Sequence, residues 1–480
     1  MNVVSVVSHD NACYVEEIPW NPSEAYPEYP FITSYSKKNY VYDMVRACFK
    51  NLALDLSHYG KPEWNPLGDV VKPGDVILIK PNWVLHTNRS DPNGQNSMNC
   101  LVTHPSIIRA VCDYCIIALK GRGRIVIGDA PVQDCDFDAL MARMHYKALL
   151  EFYKEQGVDS VTFEDFRAYR TRLNKFHVIG DKVSNSKGVE IDLMDKSVQR
   201  NDLGNHFVQV ANYDRRITTN YHINGHHIYS LAQTALDADL IINLPKPKTH
   251  RLAGMTGALK NLVGIACKKE TLPHATSGSS ESGGDLYRSR SVLKKIAHEG
   301  LSLKTKYERE GRKSAAAFTW LWSGFFCLLS KYFAPDPYLL GSWHGNDTIW
   351  RTIADLNYLI IYTNKHGEIK EKPQRKIITL ADMIIAGEGM GPLRPSPKHT
   401  GSILASFNST ALDICICKLM DFKVDKIPLL KAITNQETKL EWLDEILVVD
   451  NNSEIFSFDE WRPNVTPFVP HPSWTLLSKK

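Results

Sequence analysis

The chain has 480 residues, 43% hydrophobic and 23% charged, with a net charge of +4. That is enough apolar material for a large core, and too mild a positive surplus to point to nucleic acid. The ten cysteines are scattered through apolar segments and form no framework, which predicts free thiols in a reducing, cytoplasmic setting.

Residues 1–12 lack the basic start and long apolar middle of a secretory leader and read as a first strand, Val3 to Val7. A helix is expected from Val41 to Leu56. The turn Lys72-Pro73-Gly74-Asp75 then feeds an apolar strand, Val76 to Ile79, tipped by Lys80-Pro81-Asn82. Residues 84–102 are polar and read as a loop over that tip. Thr103-His104-Pro105 opens the next helix, which puts His104 at a positive helix end, where a neutral imidazole can act as acid, base or ligand. Cys112 and Cys115 fall in the helical period of that segment and read as packing. Strand Ile125 to Ile127 follows, tipped by Gly128-Asp129. Strand, helix and strand at this spacing make a βαβ unit, so the sheet is expected to be mainly parallel, with helices on its faces. Asp129 would share an edge with Lys80, placed to bind a hard cation, orient a lysine or cap a helix.

Residues 132–155 read as helical and 160–228 as a β-rich excursion. Its turns are expected at Asn185–Gly188 and Asn224-Gly225, the latter a hairpin signal that leaves His222, His226 and His227 exposed. The apolar strand Leu240 to Leu244 stops at Pro245 and delivers Lys246, Lys248, Thr249 and His250 into an extended segment held by two prolines. Lys260 and Asn261 follow between glycines. Several cations beside a hydroxyl, an imidazole and an amide suit a phosphate or a carboxylate. Lys268, Lys269 and His274, ahead of the Ser/Gly-rich run 276–284, are expected to close over such an anion as a flap.

The stretch NLPKPKTHRLAGMTGALKNLVG from Asn243 to Gly264 resembles the signature of the family called domain of unknown function 362. VILIKPN at 76–82, Thr103-His104-Pro105, IVIGDA at 125–130, Glu388-Gly389-Met390-Gly391-Pro392 and Ala411-Leu412-Asp413 resemble it in order. The resemblance covers most of 70–270 and 350–420, and the family's name leaves its chemistry open. Some members carry ferredoxin-like cysteine clusters; this sequence has none, so no iron–sulfur cluster is expected. A fainter similarity, to the nickel-pincer lactate racemases, rests on the strand–THP–helix arrangement and carries no residue across.

Residues 285–345 stand out as an insertion relative to the family's shorter pattern. The apolar run Phe318 to Phe333 is shorter than the ~20 residues a membrane span needs. It reads as a helix buried in the domain or a homodimer interface, or as a peripheral membrane contact. Asp347 and Thr348 start a helix on which Arg351 offers a rigid fork for an anion. Strand Ile377 to Leu380 leads to Asp382 and then to Gly387–Pro392, whose alternating glycines beside Glu388 read as a concave row of N–H groups.

The expectation is an α/β fold with a mainly parallel sheet flanked by helices, a β-rich excursion and a helical insertion. Its segments are 1–70, then 71–275 with 350–450 as the main domain, 276–349 as the insertion and 451–480 as a tail. The expected function is an enzyme acting on a small anionic metabolite. Lys80, Asn82, Lys246, Lys248, Thr249, Lys260, Asn261 and Arg351 would hold the anion, and His104 or His250 would move a proton. Asp129, Asp382 and Glu388 would hold a divalent metal or orient lysines. The alternative is a non-catalytic anion-binding or scaffold protein, cytoplasmic or membrane-associated; an iron–sulfur or nickel-cofactor redox or racemase-type protein is a minor one.

Overall fold

The computed structural model describes residues 2–31, 34–35, 37–94, 96–174, 177–182, 187–200, 203, 206–210, 213–440, 443, 445–463 and 467–478. Its main sheet has eleven strands: β1 (Asn2–Ser8), β2 (Val76–Pro81), β3 (Arg124–Asp129), β4 (Val161–Asp165), β5 (Leu240–Leu244), β6 (Lys248–His250), β7 (Gly254–Thr256), β8 (Lys376–Met390), β9 (Arg394–Ser406), β10 (Ile446–Val449) and β11 (Ile455–Ser457). Across the sheet the order is β11-β10-β1-β9-β8-β5-β2-β3-β4, with β6 beside β8 and β7 beside β6. Strands β4, β3, β2, β5 and β8 run parallel. β9 turns back antiparallel between β8 and β1. The class is therefore α/β, with a parallel core inside a mixed sheet.

The unbroken apolar runs of β2 and β5 follow from burial on both faces. Ile77, Ile79, Leu240 and Ile242 pack with helices α1 (Tyr40–Asn51) and α2 (Pro105–Leu119). Leu78 and Ile241 point the other way, toward α5 (Ile349–Tyr362) and α6 (Ser409–Leu419). Cys112 and Cys115 are both buried along α2. Between the two halves of the sheet come α3 (Val292–Arg309) and α4 (Lys313–Phe333), which pack as a helical hairpin.

Connectivity determines where a ligand can enter. From β2 the chain steps to β3 and β4, then returns to the other side of β2 to build β5 and β8. The direction of winding reverses between β2 and β5, and the strand tips part there into a crevice. Lys80 lies opposite Asn243 at that junction, and Pro81 opposite Leu244.

Four expectations change. β1 is an internal strand, paired with β9 and β10, so the first residues belong to the main sheet. The segment Gly387–Pro392 is no loop of free N–H groups, because β8 runs to Met390 and pairs with β9 through Met390↔Arg394. Asn224 and Gly225 do take the left-handed conformation of a tight turn. They nevertheless join a helix, Arg215–Asn220, to a strand, Ile228–Ala232, and His222 and His227 are buried there. The Ser/Gly-rich run is pinned in place, with Thr276 N–H donating to Asp285 at 2.6 Å. The turn expected at Asn185–Gly188 lies half outside the described residues, and Gly188 opens a strand, Gly188–Asp192.

Candidate functional site

A cavity of about 440 Å³ opens at the carboxyl ends of β2, β3 and β5. Its polar lining includes Asn82, Asp129, Lys248, His250, Arg251, Lys260, Asn261, Lys269 and His274, and Leu301 of α3 and Leu340 add apolar wall. The two prolines after β5 keep the chain extended. Lys246 turns toward Asp382 and Lys248 toward Asn82.

Two buried ion pairs lie at and beside the cavity, Asp129 of the first reaching its lining. Lys80 meets Asp129 at 2.8 Å, and Asp129 also accepts from Trp83 N–H at 2.6 Å. Gly264 is required beside them, since a Cβ there would sit 1.9 Å from the Asp129 carboxylate. Lys246 meets Asp382 at 2.6 Å and donates to the Tyr14 hydroxyl, which itself donates to Asp382 at 2.5 Å. The His104 N–H gives Asp382 a third partner at 3.0 Å. Burial outweighs the carboxylates and lowers the pKa of both lysines. These are structural uses of Lys80 and Lys246: each ammonium is spent on groups already in place.

The cations left over face the cavity. Lys248 donates to Asn82, Leu101 O and Lys246 O at 2.6, 2.8 and 3.0 Å, all neutral acceptors. Lys269 donates to Ala130 O at 2.7 Å. Among the described residues Lys260 and the Arg251 guanidinium have neither a hydrogen-bond nor an ion-pair partner. Burial holds Lys260 down to about 8, with Lys80 adding to the shift. It holds Lys269 down to about 8 against the pull of Asp129. Lys248 is pushed well below the usual range, and Arg251 is lowered by burial and by Arg89. Removing these charges from water without counter-charges is unfavourable, and an anion would relieve it.

Two histidines complete the wall in opposite tautomers. His250 Nδ1 accepts from the N–H groups of Leu252 and Ala253, both at 3.1 Å, so its proton is on Nε2. His274 Nδ1 lies 2.8 Å from Leu272 O and must donate to it, which leaves Nε2 as a lone pair. Burial first, and Lys260 second, keep both rings neutral; His274 is pushed to about 3. One ring can donate a hydrogen bond or proton while the other accepts.

Several expected site residues lie elsewhere. His104 caps α2, its Nδ1 accepting from Ser106 N–H, and its ring stacks on Tyr14 at 3.9 Å, away from the cavity lining. Thr249 donates to Gly389 O and ties β6 to the β8 end. Arg351, on α5, pairs with Asp347 just before the helix and donates to Val198 O. Glu388 accepts from Val469 N–H near the surface. The three carboxylates expected around a cation are each taken by a lysine instead, Asp129 by Lys80, Asp382 by Lys246 and Glu388 by Lys398 at 3.7 Å. Among the described residues no three His, Cys, Asp or Glu side chains gather as a ligand set. Of the expected flap, Lys269 and His274 are fixed wall, while Lys268 turns to Glu190 at 2.5 Å.

Sequence reasoning missed Arg251 and Tyr14. Arg251 had a signal, its place directly after His250 in the same segment. Tyr14 had none, because its partner Asp382 is 368 positions away.

The family model for domain of unknown function (DUF362) matches residues 77–189 and 194–418. A thylakoid-associated protein of Synechocystis sp. is 21% identical over 366 residues, covering 76% of this chain and 69% of that protein. A crystal structure of a Thermotoga maritima protein aligns with 74% of this chain at 12% identity and a TM-score of 0.29, too slight a likeness to bear on fold or function; this chain spans 54% of its length. The matched family segments contain every strand tip that builds the cavity, and the chain belongs to the DUF362 family.

Proposed function

We propose that the chain is an acid–base enzyme acting on a small carboxylate or phosphate metabolite held in the switch-point cavity. What carries the reading is four cationic side chains, Lys248, Arg251, Lys260 and Lys269, lining one cavity with no carboxylate in ion-pair reach among the described residues. Lys260 and Arg251 are the anion's direct partners, since nothing else among the described residues claims them. Asn82 and Asn261, bonded to each other at 2.7 Å, position the substrate's neutral part. His250 donates a proton from Nε2 and His274 accepts one at its Nε2, or the reverse on the return step.

The test begins with binding. Calorimetry against a panel of short carboxylates and phosphate monoesters should find a ligand whose affinity falls at least about tenfold in Lys260→Met. The bound compound is then incubated with the protein in D₂O and followed by mass spectrometry. Deuterium incorporation or product formation should fall about 10²–10⁴-fold in His250→Gln and His274→Gln, with binding kept within about threefold. Binding without exchange or turnover in the wild-type chain would favour an anion-binding protein. Unchanged affinity in Lys260→Met would remove the cavity from the account.

A further inference from the structure

Helix α4 is built inside out. The face it turns to α3 carries Ala316, Thr319, Ser323 and Ser330, all buried. Ser323 donates across to Ala297 O at 2.6 Å. Gly300 lets the two helices close, since a Cβ there would lie 3.2 Å from both Ser323 and Trp322. The bulky side chains face outward. Phe318, Leu321, Trp322, Phe325, Leu328 and Tyr332 recur at three- and four-residue intervals, and their exposure runs from 46% at Trp322 to 76% at Tyr332. A contiguous stripe of that kind marks an interaction surface.

Charge chooses the partner. Between Arg288 and Phe333 there are ten Lys and Arg against three Glu, a surplus of seven in a chain whose total is four, so the rest is net negative by three. A second copy would bring two such basic hairpins together, and like charges oppose that. An anionic surface is favoured instead. Trp320, Trp322 and Tyr332 have the amphipathic rings that settle at a lipid–water boundary. Arg312 and Lys313 stand at one end of α4 and Lys331 at the other, all exposed. Among the described residues no helix is long and apolar enough to cross a membrane. We propose that the α3–α4 hairpin docks in the plane of an anionic bilayer, with the aromatic stripe in the acyl boundary and the basic residues at the headgroups.

The experiment is co-sedimentation of the full chain with vesicles of phosphatidylcholine alone and of phosphatidylcholine mixed with phosphatidylglycerol. Binding to the mixed vesicles should exceed binding to neutral ones by about tenfold and weaken with added salt. Leu321→Glu/Phe325→Glu should lose at least about tenfold, as should Arg312→Glu/Lys313→Glu on the anionic vesicles only. All four positions are exposed, and unchanged circular dichroism and melting would show that the fold is kept. Light scattering on the same samples tests the alternative occupant. A wild-type dimer split by Leu321→Glu/Phe325→Glu, with no vesicle binding, would overturn the proposal in favour of a second copy. Absence of binding to either vesicle by a monomer would overturn it in favour of a protein partner, and vesicle binding unaffected by Leu321→Glu/Phe325→Glu would exclude this stripe. Lys260→Met should bind vesicles as the wild type does, so this proposal and the cavity reading stand or fall separately.

Discussion

Lys260 is unfavourable to the ligand-free protein. Its partly exposed side chain lines the cavity with no partner among the described residues, and its pKa is held down to about 8. A methionine would fill similar space without the charge. Lys260→Met should therefore raise the melting temperature of the ligand-free chain at pH 7 by about 1–3 °C, as scanning calorimetry would read it. The same change that removes anion binding would stabilise the fold, and a lower melting temperature would mean that Lys260 is a structural residue. Lys246 makes the opposite case. Its charge is fully buried but matched, so its removal should bring no such gain.

At the scale of elements, Asp382 joins four parts of the chain. It lies on β8, pairs with Lys246 after β5, accepts from the His104 N–H at the start of α2, and accepts from Tyr14 near the N-terminus. Asp382→Ala would leave the Lys246 ammonium buried without a counter-charge and should cost about 3–5 kcal/mol in urea unfolding. A loss below about 1 kcal/mol would contradict the role assigned to it. The same carboxylate shows how far the sequence could be read. β2, β3, β5 and α2 were legible because unbroken apolar runs, βαβ spacing and a Thr-His-Pro start are local signals, and they were enough to place Lys248 and His250 just past the end of β5. What those lysines do was not legible. Lys80, Lys246 and Lys248 each stand beside a proline just past an apolar run, and only the distant Asp129 and Asp382 show which of them are paired with a carboxylate. The glycines of Gly387–Pro392 misled for a related reason. They suggest close approach by a ligand, whereas the approaching group is the chain itself: a Cβ at Gly391 would meet Thr249 O at 1.9 Å, and one at Gly387 would meet the Lys248 Cβ at 2.7 Å.

For the whole molecule, the two lysines near 8 set a pH dependence. Their ordinary value is 10.5. Between about 8 and 10.5 the unfolded chain holds more protons than the folded one, so their contribution to stability rises with pH across that window. An anion in the cavity favours the charged lysines and raises both values. Binding should then take up protons near pH 8 and weaken above it, which titration calorimetry in buffers of different ionisation enthalpy would detect; net proton release would contradict the assignment. The hairpin adds a further consequence. Neighbouring residues of α3 look in opposite directions, Gly300 onto Trp322 and Ser323 and Leu301 into the cavity wall. A close-packed helix cannot shift at one of these contacts without disturbing the other. Were α4 to rest on lipid and an anion to fill the cavity, any factor by which one changed the other's affinity would be returned in equal measure.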